Sequence, residues 1–174
     1  MLDFLCIGAQ KAGTTWLSSQ LECNPGIWLH PFKELHCFDH LYCPAHRAWT
    51  LRHLQQAALE RVEGGMMREG AVSRFDYIAF LVRCADREWA FTEAWYRHAF
   101  TLASKERRRG ECTPGYAGIG AAGVAHVRRL MPDVRIIYLI RDPVQRAWSQ
   151  IRMNIGRGRI QQDSDRGGEA MLLR

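Results

Sequence analysis

The fold is decided by residues 2–21, which read LDFLCIGAQKAGTTWLSSQL. Residues 2–8 form a short apolar run that ends at a glycine, as is typical of a buried parallel strand. A glycine-bearing loop over residues 8–15 follows, and Trp16, Leu17 and Leu21 then recur at helical spacing. A strand, a loop and a helix in succession predict an α/β fold with a parallel sheet flanked by helices.

The loop over residues 8–15 has the composition of an anion-binding site. Backbone N–H groups and the positive end of a helix dipole converge where a glycine loop joins a strand to a helix. Thr14 and Thr15 add hydroxyl donors, and Lys11 adds a positive charge. The spacing is close to the nucleotide-binding pattern G-x-x-x-x-G-K-[ST], but Thr14 stands where that pattern has lysine. A glycine turn that only packs the helix on the strand is the alternative interpretation.

A second buried strand is predicted over residues 134–140, which are mostly apolar. Arg141 leaves that strand at the edge where open α/β sheets bind their ligands. Pro143 opens a helix at its first position, where the missing N–H costs nothing, and Ser149 follows about two helical turns later. The alternative makes Arg141 a surface residue and Ser149 an ordinary hydroxyl on a helix face.

Two segments together resemble one family. Residues 10–17, QKAGTTWL, resemble the 5′-phosphosulfate loop of sulfotransferases that use 3′-phosphoadenosine 5′-phosphosulfate (PAPS), although Gln10 stands where the family has proline. Residues 141–149, RDPVQRAWS, are similar to the 3′-phosphate motif of the same family. The two motifs occur in the family's order and ~125 residues apart, so the pair is more specific than either motif alone. The resemblance runs from residue 2 to about residue 153.

This resemblance implies a P-loop nucleotide-kinase-like fold and a transferase that uses PAPS and releases adenosine 3′,5′-bisphosphate (PAP). It implies that Arg141 and Ser149 clamp the 3′-phosphate. Lys11 would also be catalytic, because its charge offsets the charge that develops on the leaving phosphate oxygen. No metal ion is expected, since Lys11 and the loop amides already supply positive charge. The residues implied for the 5′-phosphosulfate are Lys11, Ala12, Gly13, Thr14, Thr15 and Trp16.

A candidate general base lies in residues 33–39, KELHCFD. This segment looks like a loop of the heparan-sulfate branch of the family, and the resemblance carries the role of base onto Glu34. An acceptor hydroxyl or amine must lose a proton as it attacks sulfur, so a positioned carboxylate suits the task. His36 is a rival base, because imidazole also titrates near neutral pH. In the structural alternative, Glu34 is a solvated side chain paired with Lys33.

Residues 111–116, ECTPGY, are similar to a Glu-Lys-Thr-Pro-x-Tyr segment of the same branch. That segment lies near the acceptor cleft in the branch, so Thr113 and Tyr116 are predicted to contact the substrate, together with Glu34 and His36. Cys112 replaces the lysine, which puts any contact made by that lysine in doubt. The segment is predicted to be loop-like, and a proline turn before a helix without substrate contact is the alternative interpretation.

Composition limits the class of protein. The chain has 174 residues, enough for one domain, and its 24 basic against 18 acidic side chains give a net charge of +6. This charge favours an anionic partner. No apolar run approaches the ~20 residues of a membrane-spanning helix, and no export signal is evident. The six cysteines are scattered without a C-x-x-C pair, so we expect free thiols and a cytoplasmic protein without stable membrane insertion.

Other classes remain open at this stage. A P-loop kinase that phosphorylates a small metabolite with Mg-ATP is the leading alternative. A nucleic-acid-binding module would explain the basic charge, but no nucleic-acid motif is present. A zinc site would use ligand types clustered over residues 36–46, but their spacing fits no zinc pattern. These ligand types belong to His36, Cys37, His40, Cys43 and His46.

Three expectations concern local structure and completeness. Apolar spacing predicts a helix over residues 86–103 with Asp86 as its N-cap. The polar and glycine-containing residues 157–174 are expected to be poorly ordered. Members of the resembling family are usually longer, so we expect a single domain over residues 1–174 that lacks the family's C-terminal portion and turns over PAPS weakly or not at all.

Overall fold

Four parallel strands form the main sheet of the protein, as seen in a computed structural model. The structure describes residues 1–63, 74–103, 106–162 and 171–173. The strands are β1 (Phe4–Gly8), β2 (Ile27–Leu29), β3 (Arg108–Cys112) and β4 (Arg135–Tyr138). Their order across the sheet is β2, β3, β1, β4, and every neighbouring pair is parallel.

Helices flank this sheet and make most of the remaining structure. Short 3₁₀ turns occur at Pro44–His46 and Pro114–Gly118. The prediction of an α/β fold with a parallel sheet flanked by helices is confirmed. The helices are α1 (Thr14–Glu22), α2 (Cys37–Tyr42), α3 (Arg47–Glu63), α4 (Arg74–Arg83), α5 (Glu93–Ala99), α6 (Gly120–Leu130) and α7 (Pro143–Gly156).

Strand β1 lies in the interior of the sheet and sets the position of the site. Phe4 pairs with Gly110 of β3 on one side and with Arg135 of β4 on the other. All four strands run in the same direction, so the loops after them emerge at one edge. In open α/β sheets this carboxyl edge is where ligands bind. The two motifs found in the sequence therefore start from adjacent strands at the same edge.

Gly110 leaves room for the aromatic ring of Phe4, which packs against this position from the neighbouring strand β1. A β-carbon at residue 110 would overlap the ring carbons of Phe4, its register partner on β1. Phe4 is buried, so its ring has little room to move aside in a close-packed interior. The pairing of β1 with β3 thus depends on a glycine at this position.

Aromatic rings fill the core between the sheet and the helices. Phe38 of α2 makes edge-on contacts with Tyr96 and Tyr116, at centroid distances of 4.9 and 5.1 Å. Tyr96 contacts Phe100 at 5.1 Å in the same manner. Such pairs stabilise beyond the area that they bury. The fully buried side chains include Trp95, Tyr96, Tyr116, Phe38, Phe80 and Phe100.

The helix predicted over residues 86–103 is shorter than expected and begins later. Phe91 has a left-handed backbone (φ 64°), which interrupts any helix that starts before it. The Oγ1 atom of Thr92 accepts a hydrogen bond from the Trp95 amide at 3.1 Å and caps α5. Asp86 instead accepts from the Glu88 amide in a turn, at 2.9 Å. Local side-chain bonds therefore outweigh the apolar spacing here.

Strand β3 has no apolar run that would have identified it. Only Gly110, Glu111 and Cys112 of its five residues are buried. Residues 111–116 were expected to be loop-like, but the first two complete this strand and the loop begins at Thr113. Arg108 binds Asp3 across the edge of the sheet, with its Nη1 atom 2.8 Å from Oδ1. The strand forms because β1 and β2 supply partners on both sides.

Two short strands near the end of the sequence form an unexpected antiparallel pair. Strands β5 (Ile160–Gln162) and β6 (Met171–Leu173) pair in antiparallel fashion, where poor order was expected over residues 157–174. The rest of that expectation concerns residues 163–170 and 174, which lie outside the described residues.

The prediction of a buried strand over residues 134–140 is wrong about burial, because β4 is the edge strand of the sheet and none of its residues is buried. Ile140, just after β4, is 90% exposed, and Trp148 of α7 is also exposed. None of the residues on α7 is buried. Within the residues described by the structure, no helix has the length and apolar character needed to cross a membrane.

We expect Gly110→Ala to lower the free energy of unfolding by about 1–3 kcal/mol, because the new methyl group overpacks against Phe4. Urea denaturation measures the change. Gly118→Ala is the matched control, since a β-carbon there meets nothing within 4 Å. Equal effects of the two substitutions would contradict the close approach at residue 110.

Candidate functional site

The loop over residues 8–15 connects β1 to α1 in a tight turn. Gly13 precedes α1 with a left-handed backbone (φ 104°), a conformation that favours glycine. A β-carbon at Gly13 would meet no atom within 4 Å, so backbone conformation rather than space favours glycine there. The Ala12 amide donates to the Ala9 carbonyl at 3.1 Å. The turn leads directly into the first N–H groups of α1, the arrangement that binds anions in other proteins.

Three cationic side chains lie at this loop, one from the loop itself and two from other parts of the chain. Arg141, after β4, donates from Nη1 to the Lys11 carbonyl at 3.1 Å. Lys11 extends to α7, where its Nζ atom lies 3.6 Å from the sulfur of Met153. Lys33, beyond β2, donates from Nζ to Thr15 Oγ1 at 2.7 Å. The concentration of positive charge around free helix amides makes this loop a strong candidate for a phosphate or sulfate site.

Lys33 is the residue that sequence reasoning missed at this loop. It was considered only as a partner of its neighbour Glu34, whose Oε1 atom lies 3.9 Å from Lys33 Nζ. Its contact with Thr15 spans 18 residues of sequence. Helix α1 packs against β2, so the segment after β2 returns to the start of α1. No local sequence pattern signals this approach.

The second motif opens α7 as predicted. Asp142 is the N-cap, and its Oδ1 atom accepts a hydrogen bond from the Gln145 amide at 2.9 Å. Ser149 is half-buried and lies one turn before Met153, the residue that contacts Lys11. Residues four apart share a helix face, so Ser149 is on the side of α7 that faces the loop. Its contact with a 3′-phosphate stays a prediction.

The remaining predicted loop residues differ in exposure. Thr14 is buried at the start of α1, whereas Thr15 is exposed. Trp16 is 68% exposed. Ala12 is half-buried and contributes its backbone to the turn. Their roles in holding a donor remain predictions.

Glu34, His36 and Asp39 form a chain of charged groups beside the loop. The Glu34 Oε2 atom lies 3.3 Å from His36 Nε2, and the other ring nitrogen lies 2.9 Å from Asp39 Oδ2. Both Glu34 (φ 61°) and His36 (φ 54°) have left-handed backbones, which fold the segment tightly. Asp39 is fully buried, whereas the Glu34 side chain is 32% exposed. Only the outer end of this chain is open to a substrate.

Electrostatic interactions among Glu34, His36 and Asp39 favour a charged imidazole on His36. Burial disfavours charge on His36, but hydrogen bonds to Asp39 and Glu34 outweigh it and raise the pKa of His36 to about 9. Burial also acts to raise the pKa of Glu34, yet the hydrogen bond from His36 and the charge of Lys33 lower it overall. At neutral pH Glu34 is therefore a carboxylate and His36 an imidazolium.

Glu111 anchors the surrounding backbone from the end of β3. Its buried carboxyl accepts hydrogen bonds from Thr113 Oγ1 at 2.5 Å, from the Tyr96 hydroxyl at 2.5 Å and from the Tyr116 hydroxyl at 2.8 Å. The Tyr116 oxygen in turn accepts from the Cys37 amide at 3.0 Å. Burial raises the pKa of Glu111, and the three hydroxyl donors oppose that effect. This network holds the start of α2 against β3.

Thr113 and Tyr116 were predicted to contact the substrate. The structure buries both side chains and directs their hydroxyls to Glu111. Substrate contact stays a prediction for both, while the contacts described are with the protein itself. Gly115 between them leaves room for Asp39, because a β-carbon there would lie 2.7 Å from Asp39 Oδ2.

Helix α3 forms a wall beside His36. The ring of Trp49 meets the imidazole edge-on at a centroid distance of 4.6 Å, and the ring of His53 lies 5.4 Å away. Trp49 is 37% exposed. The wall therefore shields the buried part of the charged chain and presents an aromatic surface next to Glu34.

The side chains considered as zinc ligands make contacts with other protein groups. His40 lies 2.7 Å from Thr50 Oγ1, and the thiol of Cys43 donates to the Gly118 carbonyl at 3.5 Å. The thiol of Cys37 donates to the Phe91 carbonyl at 3.7 Å. In the part of the chain that the structure describes, no three His, Cys, Asp or Glu side chains are grouped to hold a metal ion.

Comparisons with known proteins identify the family and support the fold. A family model described as "Sulfotransferase family" matches residues 3–171. A search of curated proteins found no match. A crystal structure of a sulfotransferase from Alicyclobacillus acidocaldarius has a similar fold, with a TM-score of 0.60 and 22% sequence identity. The match covers 94% of this chain and 53% of that one, so this chain spans about half of that structure's length.

We expect the imidazole of His36 to titrate near pH 9, because Asp39 and Glu34 hold its proton. Because folding raises the pKa of His36, protonation of His36 stabilises the folded protein. This contribution is complete below the unfolded pKa of about 6.5 and is lost as the pH rises through about 9. NMR titration of ¹³C-labelled histidine measures the pKa directly.

Asp39→Asn should lower the pKa of His36, since it removes one of the two carboxylates. Asp133→Asn, at an exposed position before β4, is the matched control and should leave it unchanged. A His36 pKa of 6.5 or below in the unaltered protein would rule out the proposed charge interactions of His36 with Glu34 and Asp39.

Proposed function

The chain belongs to the sulfotransferase family, and we propose that it transfers the sulfuryl group of PAPS to a hydroxyl or amine of a carbohydrate. One contact carries this proposal. Lys33 donates to Thr15 in the loop after β1 and also lies beside Glu34. The same lysine therefore contacts both the candidate anion site and the candidate base. A sulfuryl group must lie between such a site and such a base to be transferred.

The residues present fit a donor with two anionic ends. The 5′-phosphosulfate would lie at the start of α1, on the loop amides and the Thr14 and Thr15 hydroxyls, with Lys11 and Lys33 beside it. The 3′-phosphate would lie near Arg141 and Ser149 at the end of β4 and on α7. These elements share the carboxyl edge of the sheet, where open α/β folds bind nucleotides.

Transfer would depend on positioning and charge. The acceptor oxygen or nitrogen attacks sulfur, its proton passes to the Glu34 carboxylate, and the bond between sulfur and the 5′-phosphate oxygen breaks. Lys11 and Lys33 would offset the negative charge that develops on the leaving oxygen. The acceptor group becomes strongly acidic as it bonds to sulfur, so a carboxylate of lowered pKa suffices as the base.

The geometry favours Glu34 over His36 as the base. Both nitrogens of His36 lie against carboxylates, and the raised pKa keeps them protonated at neutral pH. An imidazolium cannot accept another proton. His36 instead orients Glu34 and links it to buried Asp39.

A carbohydrate acceptor is supported by the wall beside Glu34. Trp49 presents an exposed aromatic surface there, near the polar groups of His46 and His53. Binding sites for organic ligands typically combine aromatic surface with a few polar groups. The resemblance of residues 33–39 to the heparan-sulfate branch points to the same class of acceptor.

We expect the purified chain to bind PAP, and Arg141→Ala or Lys33→Ala to weaken that binding at least tenfold, because each removes a cation beside the loop. Isothermal titration calorimetry measures the affinity. Arg128→Ala removes an exposed charge on α6 and is the matched control.

Titration with Mg-ATP distinguishes the kinase alternative. Tight binding of Mg-ATP with no binding of PAP would refute the proposed donor and favour a kinase. Binding of PAP that neither Arg141→Ala nor Lys33→Ala weakens would show that the donor binds elsewhere.

We expect Glu34→Gln to reduce sulfuryl transfer by ~10²-fold or more while PAP affinity changes less than about twofold, because the amide cannot take a proton. Transfer is measured with radiolabelled PAPS and sugars that carry free hydroxyls or amines. Glu88→Gln, at an exposed turn, is the matched control. Measurable transfer by the unaltered chain that the Glu34 variant equals would exclude Glu34 as the base.

A further inference from the structure

Two cysteines lie side by side beneath the loop after β1. Cys6 of β1 and Cys112 of β3 are direct register partners in the parallel sheet. Cys6 is 0% exposed and Cys112 is 4% exposed. Paired residues on neighbouring strands point to the same face of a sheet, and both cysteines are free thiols.

The backbone already has the spacing that a disulfide needs. Neighbouring strands lie about 4.8 Å apart, and disulfides join residues whose Cα atoms are about 4.4–6.8 Å apart. The Thr113 amide donates to the Cys6 carbonyl at 2.9 Å, which holds the two strands together at this point. A bond between the sulfurs would therefore need side-chain rotation without separation of the strands.

The two thiols also interact with each other. Hydrogen bonding with Cys112 lowers the pKa of Cys6, and the same contact raises the pKa of Cys112. Burial raises the pKa of Cys84 to about 12, and burial together with nearby carboxylates raises the pKa of Cys37. A thiolate is the reactive form of cysteine, and of these four buried thiols only Cys6 has a lowered pKa, so Cys6 is the thiol that reacts first.

We propose that Cys6 and Cys112 form a reactive dithiol that hydrogen peroxide converts to a disulfide across β1 and β3. The sulfur of Cys6 attacks one peroxide oxygen, the O–O bond breaks, and hydroxide leaves and is protonated to water. The resulting sulfenic acid is attacked by the sulfur of Cys112, the S–S bond forms and a second water leaves. Two thiols lose two electrons, and one peroxide becomes two waters.

This site is independent of the proposed function, yet it connects the two halves of the candidate site. Cys6 precedes Gly8 by two residues, at the start of the loop. Cys112 lies between Glu111, which anchors α2, and Thr113. It also occupies the position at which the resembling branch has lysine. A disulfide would join the strand that carries the loop to the strand that anchors the segment bearing Glu34.

Peptide mass spectrometry tests the site in the full chain. After treatment with peroxide, the protein is denatured, alkylated and digested with trypsin, which places the two cysteines in separate peptides, residues 1–11 and 110–128. We expect these peptides to appear joined, with the loss of two hydrogen atoms, and to separate after reduction. We also expect Cys6 to be consumed at least about tenfold faster than the equally buried Cys84.

Single substitutions supply the controls. Cys6→Ser and Cys112→Ser should each abolish the joined peptide, whereas Cys23→Ser, at an exposed position, should leave it unchanged. Circular dichroism verifies that each variant is folded, and Cys112→Ala is a second variant if serine disrupts the sheet. Full alkylation of both Cys6 and Cys112 after treatment that oxidises Cys23 would overturn the proposal, as would a disulfide that joins Cys6 to a cysteine other than Cys112 in the unaltered chain.

Discussion

A buried carboxyl group at Glu111 must be satisfied by hydrogen bonds, and much of the site depends on how this is done. An unpaired carboxyl would be costly in this interior. Hydroxyls from Tyr96, Thr113 and Tyr116 supply the bonds. These donors come from α5, from the end of β3 and from the turn after it. Through the Tyr116 oxygen the network also binds the amide of Cys37, which fixes the start of α2 and the segment before it.

From this anchor the charged groups are arranged in order of increasing exposure. Asp39 is fully buried, His36 is nearly so, and Glu34 reaches the surface. Because each group holds the next, the orientation of the outer carboxylate is set from the interior. Lys33 then joins this chain to Thr15 at the loop after β1.

The sequence predicted the elements whose signals are local. The unit of strand, loop and helix at the start of the chain and the capped helix after Asp142 were both found where expected. The strand over residues 108–112 was not, because its burial comes from two neighbouring strands rather than from apolar residues of its own. The helix over residues 86–103 was overextended, because apolar spacing does not reveal a left-handed residue such as Phe91.

By itself the sequence determined the α/β class, the glycine loop with its lysine and threonines, and the two motifs that resemble a sulfotransferase. These depend on neighbours in sequence, through side-chain spacing and backbone preference. Only the tertiary structure decided that β3 lies between β1 and β2, that Lys33 reaches Thr15, and that Cys6 faces Cys112. Each of these depends on the order and register of strands distant in sequence, which no local pattern encodes.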